Sequence, residues 1–140
     1  MPNLKNLGDS SMGIEGAVLG DGGFLPVTLT YTATTVDCTL FTADRSYVVK
    51  AIRGRVDVAG TGGACTAVIR KVPSATALTS GIALHTGSFN LVGTAAAQQA
   101  LTLSTTPSDL LMAAGDSICF DLTGTPTSAV GAISVTLNPA

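Results

Sequence analysis

The sequence predicts an all-β fold, an antiparallel β-sandwich of jelly-roll-like type with eight or nine strands. From Phe24 onward, apolar and polar residues alternate with a period of two, which is the pattern of half-buried strands. Clusters of Gly, Pro, Asp and Ser separate these runs at intervals of roughly 8–15 residues, a spacing typical of sandwiches and barrels. The length of 140 residues fits a single such domain.

Each alternating run assigns its apolar residues to one face of a strand. Side chains two residues apart in a strand point to the same side, so the apolar parity is predicted to face the core. Arg53, Arg55 and Asp57 have the opposite parity to their apolar neighbours and are predicted to face outward. The predicted inward residues are Val27, Leu29, Tyr31, Ile52, Val56, Val58, Ile82, Leu84, Phe89, Leu91, Leu101, Leu103, Ile118, Phe120, Leu122, Ile133, Val135 and Leu137.

Turn signals separate these predicted strands. The turns are expected at 42–44, 60–63, 73–74, 86–88, 107–109, 115–116 and 124–126. Two segments, Ala95–Ala100 and Leu110–Ala114, have compositions compatible with a helix. Both are shorter than the roughly 12–15 residues that an isolated helix needs, so we expect short helical turns at most.

The domain boundary is predicted between residues 23 and 24. Residues 1–23 hold six of the sixteen glycines and show no clear periodicity, whereas residues 24–140 carry the alternating pattern. Because glycine makes regular structure costly in backbone entropy, we expect residues 1–23 to form a flexible or extended arm. Such an arm either frays in solution or becomes ordered on a neighbouring subunit or a larger assembly.

Charged residues make up only 11% of the chain, apolar residues make up 46%, and the formal net charge is −2. This balance excludes an intrinsically disordered chain and a nucleic-acid binder that works through bulk positive charge. Thr, Ser and Gly interrupt every apolar run, so we expect no membrane span, no secretory signal and synthesis in the cytosol. A surface so poor in charge favours an oligomer, preferably a cyclic one, over a monomer coated with Thr and Ser.

Cysteine and histidine show no metal-binding or catalytic pattern. The three cysteines, Cys38, Cys65 and Cys119, are odd in number and have no CxxC spacing, and His85 is the only histidine. We expect Cys65 and Cys119 to be small structural residues on strands. His85 precedes a turn and is expected to be a surface or hydrogen-bonded structural residue rather than a general base. The sequence predicts no cofactor and no metal.

The acidic residues likewise form no recognisable catalytic pair. Most of the eight aspartates lie at turns, as Asp109 and Asp116 do, where the side chain binds nearby backbone. The sequence contains no phosphate-binding loop, dinucleotide fingerprint or calcium loop. Asp57 and Asp121 are candidates to meet across a sheet face, although sequence alone does not pair them. We therefore predict that the protein is not an enzyme.

Six of the seven basic residues lie within 27 positions of one another. We predict that strands 45–58 and 64–72 form a hairpin across the Gly60–Gly63 turn, which would gather these side chains on one sheet or edge. The gathered charges either contact the acidic strands of a neighbouring subunit or protect an edge strand against unwanted pairing, and both interpretations stay open. The candidate contact residues are Arg45, Lys50, Arg53, Arg55, Arg70 and Lys71.

The segment Leu111–Ile118 reads L-x-A-A-G-D-x-I, and Tyr47-Val48-Val49 is followed by Ile52-x-x-x-Val56. These elements resemble small β-sandwich virion structural proteins of tailed phages, the head decoration (cement) proteins and fibre-head domains. The likeness extends over about residues 40–138. The other segments that carry it are Thr79–Thr86, Phe89–Leu91, Gly93–Ala95, Leu101–Ser104 and Asp121–Thr125.

The resemblance implies a non-enzymatic homotrimer that binds the outside of the assembled head and stabilises it by clamping neighbouring copies of the major capsid protein. The protein would then be made in the host cytoplasm and end on the capsid surface of the virion. In that role residues 1–23 would contact the shell or an adjacent subunit. The basic residues would complement an acidic capsid surface or the neighbouring subunit.

The same resemblance implies an alternative function, a receptor- or glycan-binding head domain of a phage tail or head fibre. Sugar binding of this kind uses exposed aromatic rings in distal loops for stacking. Tyr31 and Tyr47 lie in strand-like runs, and the chain has no tryptophan. Receptor binding is therefore the second hypothesis.

Overall fold

The computed structural model describes residues 24–140, and the predicted arm over residues 1–23 lies outside the described residues. The strands are β1 (Leu25–Tyr31), β2 (Cys38–Thr42), β3 (Tyr47–Val58), β4 (Thr66–Val72), β5 (Ile82–Ala83), β6 (Phe89–Asn90), β7 (Ala97–Leu101), β8 (Leu111–Met112), β9 (Ser117–Thr123) and β10 (Val130–Pro139). A short helix α1 (Pro107–Leu110) and a 3-10 turn (Leu78–Ser80) complete the regular elements. Within this part of the chain, no helix is long and apolar enough to cross a membrane.

The strands form two antiparallel sheets. The first sheet has the order β1-β10-β3-β7, with β8 also pairing with β3, and the second has the order β2-β9-β4-β5, with β6 also pairing with β4. Because β7 and β8 share one edge of β3, and β5 and β6 share one edge of β4, the ten strands fill eight positions. The chain passes repeatedly between the sheets, which gives a jelly-roll-like strand order. The predicted all-β antiparallel sandwich is confirmed, with ten strands rather than eight or nine.

One hydrophobic core lies between the two sheets. In β10 of the first sheet the residues alternate along the strand, and Ile133, Val135 and Leu137 are fully buried. Phe120 of β9 in the second sheet stacks on Tyr31 of β1, with ring centroids 6.4 Å apart, so an aromatic contact joins the sheets. The period-two pattern of the sequence therefore places the core correctly in these strands.

Glycines allow aromatic side chains to approach the central strands of the first sheet. The ring of Phe89 from the second sheet lies directly against the α-carbon of Gly54 in β3, where a Cβ would overlap the ring carbons. Gly131 in β10 lies in the same way against the hydroxyl end of Tyr31. The two aromatic rings thus occupy space that any larger residue at either glycine would need.

Hydrogen bonds between the sheets close one side of the sandwich. The side chain of Gln99 in β7 accepts a hydrogen bond from the Asn90 N–H at 3.0 Å and donates one to the Asn90 carbonyl at 2.8 Å. His85 and Leu103 also pair with each other, in an isolated antiparallel β-bridge. A side-chain amide therefore satisfies backbone groups of β6 that a further strand would otherwise pair with.

Both helix-compatible segments contribute residues to strands. The last four residues of Ala95–Ala100 form β7 together with Leu101, because pairing with Ile52–Val56 supplies backbone partners that outweigh the local helix propensity. In Leu110–Ala114, α1 ends at Leu110 and the next two residues form β8. The helix instead occupies the predicted turn at 107–109, where proline stands at the start of the helix.

Two residues predicted to face inward are exposed. Val58 is 49% exposed and Ile82 is 44% exposed. Val58 is the last residue of β3 and Ile82 is the first of β5, so both lie at strand ends, where the opposite sheet no longer covers them. Alternation predicts the side of a strand on which a residue lies, but not where the cover from the other sheet stops.

Candidate interaction surfaces

The six candidate contact residues do not lie on one hairpin. β3 and β4 belong to different sheets, so the predicted pairing of 45–58 with 64–72 is wrong. In the loop between them, the Gly60 N–H donates to the Leu91 carbonyl and the Thr61 N–H donates to the Thr127 carbonyl, both at 2.9 Å. Because the loop is bonded to distant segments rather than closed on itself, it carries the chain from one sheet to the other.

Arg53 and Arg55 stand together on the outward side of β3, as predicted, and both are exposed. β3 is an interior strand between β10 and the β7–β8 edge, so these arginines do not protect a sheet edge. Their neighbours in register are small or uncharged residues, namely Ser134, Ala132, Ala100 and Gln98. We call the outward side of β1, β10, β3 and β7 around the two arginines the basic face.

Lys50 joins the basic face through a β-bulge. Val49 and Ala51 pair with consecutive residues of β10, so Lys50 has no partner in that strand. It also lies between the parts of β3 that pair with β8 and with β7. The extra residue at a bulge turns its side chain out of the regular pleat, and Lys50 is exposed to solvent.

The charges of the basic face are only partly compensated. Arg55 donates from Nε to Asp57 Oδ1 at 2.8 Å and from Nη1 to the Ala96 carbonyl at 3.2 Å. Among the residues that the structure describes, neither Lys50 nor Arg53 forms an ion pair. The face therefore presents two cations that no described carboxylate neutralises.

Arg70 lies on the second sheet, away from the basic face. Its Nε donates to Asp121 Oδ2 at 2.5 Å and its Nη1 donates to the Gly81 carbonyl at 3.0 Å. This ion pair is partly buried, with side-chain exposures of 23% and 12%. Asp57 belongs to the first sheet, so the expectation that Asp57 and Asp121 meet is wrong.

Lys71 is buried inside the sandwich and is not offered to a partner at the surface. Within residues 24–140 it is one of two buried polar or charged residues, and it is only 7% exposed. The ammonium donates to the Ser108 carbonyl at 2.6 Å and to the Leu111 carbonyl at 2.8 Å. These carbonyls lie at α1 and β8, so Lys71 ties β4 of the second sheet to the β8 end of the first.

Arg45 lies in the loop that precedes β3. It forms an exposed pair with Asp44 at 3.3 Å, and the Tyr47 hydroxyl donates to the same carboxylate at 2.7 Å. The hydrogen bond from Tyr47, with the charge of Arg45, holds the pKa of Asp44 below its usual value. The same bond raises the pKa of Tyr47. Arg45 therefore stays at the surface, at the end of the sheet where β3 begins.

Exposed apolar side chains border the basic face at this end of the sheet. Phe24, 59% exposed, immediately precedes β1, and Leu111, 50% exposed, pairs with Val48 near the start of β3. Phe24 has the outward parity of β1, opposite to Val27 and Leu29, and Leu111 lies in a run whose composition is compatible with a helix. β1 and β8 lie at opposite edges of one sheet, with β10 and β3 between them, and only the pairing register shows that both exposed residues lie at the same end of that sheet.

His85 is a hydrogen-bonded structural residue, as expected. It is 4% exposed, and its Nε2 accepts a hydrogen bond from the Ile69 N–H at 2.9 Å. Nδ1 lies 3.2 Å from the Thr86 carbonyl, so the proton belongs on Nδ1. Burial, and to a lesser extent the charge of Arg70, lower the pKa of His85. The ring is therefore neutral, and its one lone pair already accepts a backbone hydrogen bond.

The cysteines are free thiols in apolar surroundings. Cys65 and Cys119 are buried and Cys38 is half-buried. Burial raises the pKa of both Cys38 and Cys65, which disfavours the nucleophilic thiolate. Within residues 24–140, no three His, Cys, Asp or Glu side chains lie close enough together to hold a metal ion.

Neither tyrosine is available for stacking on a sugar. Tyr31 is fully buried in the core, and burial, with the nearby charges of Asp57 and Cys65, raises its pKa to about 12. Tyr47 is also buried and makes an edge-to-face contact with Phe41 at a centroid distance of 5.5 Å. No described tyrosine is therefore exposed for the sugar stacking that the glycan-binding hypothesis requires.

Solved structures from two phage capsids share the fold of this chain. The chain matches a chain in the capsid of Ralstonia phage GP4 with a TM-score of 0.58 and 14% identity, over 87% of this chain and 86% of that chain. It matches a chain in the capsid asymmetric unit of cyanophage Pam1 with a TM-score of 0.51 and 14% identity, over 85% and 86% of the two chains. No protein-family model and no curated protein sequence matches the chain. At this level of identity, the comparison shows a common fold.

Proposed function

We propose that this chain is a non-enzymatic structural protein of a phage virion. The observation that carries the proposal is the fold match to chains of two phage capsid structures, over 85–87% of this chain and 86% of each of the others. In all three chains the matched fold makes up most of the chain. The resemblance of Leu111–Ile118 and its neighbouring segments to phage virion domains supports the same role.

Within the virion, we infer that the chain is a decoration, or cement, protein. It binds the outside of the assembled head as a homotrimer, and its partner is the major capsid protein. The low charge of the chain supports association, and the basic face presents two cations that no described carboxylate neutralises. Lys50, Arg53 and Arg55 are the proposed subunit contact, and Arg45 at the end of the sheet is a candidate for the capsid contact.

The physical basis of cementing is preferential binding to one state of the shell. A ligand that binds the assembled state alone stabilises it by about 2.7 kcal/mol per site when its free concentration is a hundredfold above Kd. Each copy adds this amount at its own site, so many modest contacts resist disassembly together. A trimer increases the effect, because three linked contacts release the shell less readily than one.

The native mass tests the homotrimer. Light scattering at micromolar concentration is expected to give three times the 13.9 kDa of the chain. The mass should stay constant on tenfold dilution if the trimer is stable before it meets the capsid. A monomer at all concentrations would contradict a preformed trimer.

Binding to heads tests the decoration role. Heads prepared without the protein are mixed with the purified chain and sedimented, and we expect the chain to sediment with them and to raise the temperature at which they release DNA. Thr39→Ala changes an exposed residue of β2 in the second sheet, away from the basic face, and this control variant should bind the heads as well as the unchanged chain does. A properly assembled protein that stays in the supernatant would contradict the decoration role, and glycan or host-cell binding would then support the fibre-head alternative.

A further inference from the structure

The charges of the chain are divided unequally between its two parts. Residues 24–140 carry six basic and six acidic residues and are neutral overall. Residues 1–23 carry three acidic residues and one lysine, which accounts for the net charge of −2. Those three acidic residues are Asp9, Glu15 and Asp21.

All six carboxylates of the described residues have local partners. Asp44, Asp57 and Asp121 form ion pairs with arginines. The other three accept hydrogen bonds, Asp37 from the Leu122 N–H, Asp109 from the Ser104 hydroxyl and Asp116 from the Ala113 N–H. Lys50 and Arg53 are therefore left without a described carboxylate, and the remaining carboxylates of the side chains all lie in residues 1–23.

The basic face fits an extended acidic segment that also carries apolar residues. Arg53 projects from a floor of small side chains, where the Thr28 and Ser134 hydroxyls lie 2.8 Å apart and are hydrogen-bonded to each other. Such a floor lets another chain approach closely. The exposed Phe24 and Leu111 lie at one end of the face and would bury apolar residues of the segment.

The composition of residues 1–23 matches these requirements. Glu15 lies between Ile14 and the apolar residues Val18 and Leu19, and Asp21 follows after one glycine. The segment ends directly before Phe24, which borders the basic face. An extended chain spans about 3.3 Å per residue, so residues 1–23 reach roughly 70–80 Å, enough to cross from one subunit to the next.

The charges also favour exchange between different surfaces over a symmetric pairing of the basic faces. If two basic faces met across a twofold axis, each Arg53 would approach the same arginine of the other copy, and the like charges would repel. A contact between the acidic segment of one copy and the basic face of the next joins two unlike surfaces. Contacts of this kind close into rings such as a trimer.

We propose that residues 9–21 of one copy dock on the basic face of a second copy, where Asp9, Glu15 and Asp21 supply the carboxylates that meet Lys50 and Arg53. The inference rests on the proposed homotrimer and adds the contact that closes it. It also gives the acidic segment and the uncompensated cations a common role.

Zero-length crosslinking of the full chain tests the contact. A carbodiimide joins a carboxylate to an amine only where the two touch, and Lys50 is the only exposed lysine among the described residues. Equal amounts of chain grown in ordinary and in heavy nitrogen are mixed, unfolded and refolded together before the reaction. We expect covalent dimers and trimers, with mixed-isotope peptides that join Lys50 to Asp9, Glu15 or Asp21.

Two variants provide the controls. Lys50→Arg keeps the positive charge but removes the reactive amine, so it should reduce the yield of covalent dimers and trimers by at least tenfold. Arg53→Glu should weaken the contact and lower the crosslink yield severalfold, and adding Glu15→Arg should restore it, which a folding defect would not allow.

The outcomes separate this inference from the proposed function. A trimer whose Lys50 crosslinks join only residues of one chain, or reach no acidic residue of 1–23, would overturn the docking contact and leave the homotrimer standing. A monomer by light scattering would overturn the homotrimer, and the docking contact with it.

Discussion

Replacing Gly54 with alanine tests how the two sheets fit together in the core. Gly54 lies on β3, and the Phe89 side chain from the second sheet covers its α-carbon. A Cβ on Gly54 would overlap Cε2 and Cζ of that ring and would lie 3.0 Å from the Ala132 carbonyl oxygen. Phe89 is fully buried, so surrounding side chains must move if the ring moves.

Two effects of opposite sign determine the size of the change. Overpacking a closely packed core costs about 1–3 kcal/mol. The backbone of Gly54 is not in the left-handed region, so alanine also restricts the unfolded chain and contributes about 0.4–1 kcal/mol of stability. The middle of the first range less the middle of the second gives an expected net loss of about 1.3 kcal/mol in the free energy of unfolding.

Gly63→Ala is the matched control for this change. A Cβ at Gly63 would have no atom within 4 Å, and its backbone is also outside the left-handed region. Urea unfolding of both variants at one protein concentration should show Gly54→Ala destabilised and Gly63→Ala unchanged or slightly stabilised. Phe89→Leu should recover part of the loss in the Gly54→Ala background. Equal stability of the two alanine variants would refute the contact between the sheets.

Three other perturbations should change stability in a defined direction. The lowered pKa of His85 means that the unfolded chain binds the extra proton, so the free energy of unfolding should fall as the pH drops below 6.5, by up to about 1.4 kcal/mol per pH unit. Denaturant melts over a pH series should show this slope, and His85→Gln should lack it. Tyr31→Phe removes a buried hydroxyl that no described residue bonds, so it should raise the melting temperature and add about 1 kcal/mol to the free energy of unfolding. A lower melting temperature would contradict this. Arg70→Ala breaks the partly buried pair with Asp121 and should cost about 1–2 kcal/mol in urea melts, and a loss below 0.3 kcal/mol would show that the pair contributes little.

The strands could be predicted because their signal is local. In β10 each apolar residue from Ile133 to Leu137 is buried and each residue between them is half-buried. The outward direction of Arg53 and Arg55 follows from the same parity rule. A period of two is fixed by the geometry of a single strand, so it needs no information about partners.

The pairing of strands could not be predicted from these patterns. The Gly-rich loop after β3 has the composition of a hairpin turn, yet it leads into the opposite sheet and is held by Leu91 and Thr127. Both partners are distant in sequence, and a turn composition does not specify them. The grouping of the six basic residues failed for this reason, and only Lys50, Arg53 and Arg55 share a face.

Lys71 and Gln99 show that hydrogen-bond partners distant in sequence determine where a polar side chain lies. The sequence predicts Lys71 at a surface contact, but its ammonium donates hydrogen bonds in the interior to carbonyls 37 and 40 residues away. Gln99 belongs to a run that looks helical, yet its amide bonds the backbone of Asn90 in the other sheet. A buried polar side chain needs such partners, and a single sequence does not reveal them.

Electron cryomicroscopy of virions that contain this protein tests the central claim most directly. The account predicts sandwich-shaped density on the outer surface of the head, in groups of three, into which residues 24–140 fit with the basic face turned toward the neighbouring copy. Heads that lack the protein should lose this density and nothing else. Density for the sandwich only at a fibre tip, or none on the virion at all, would contradict the account.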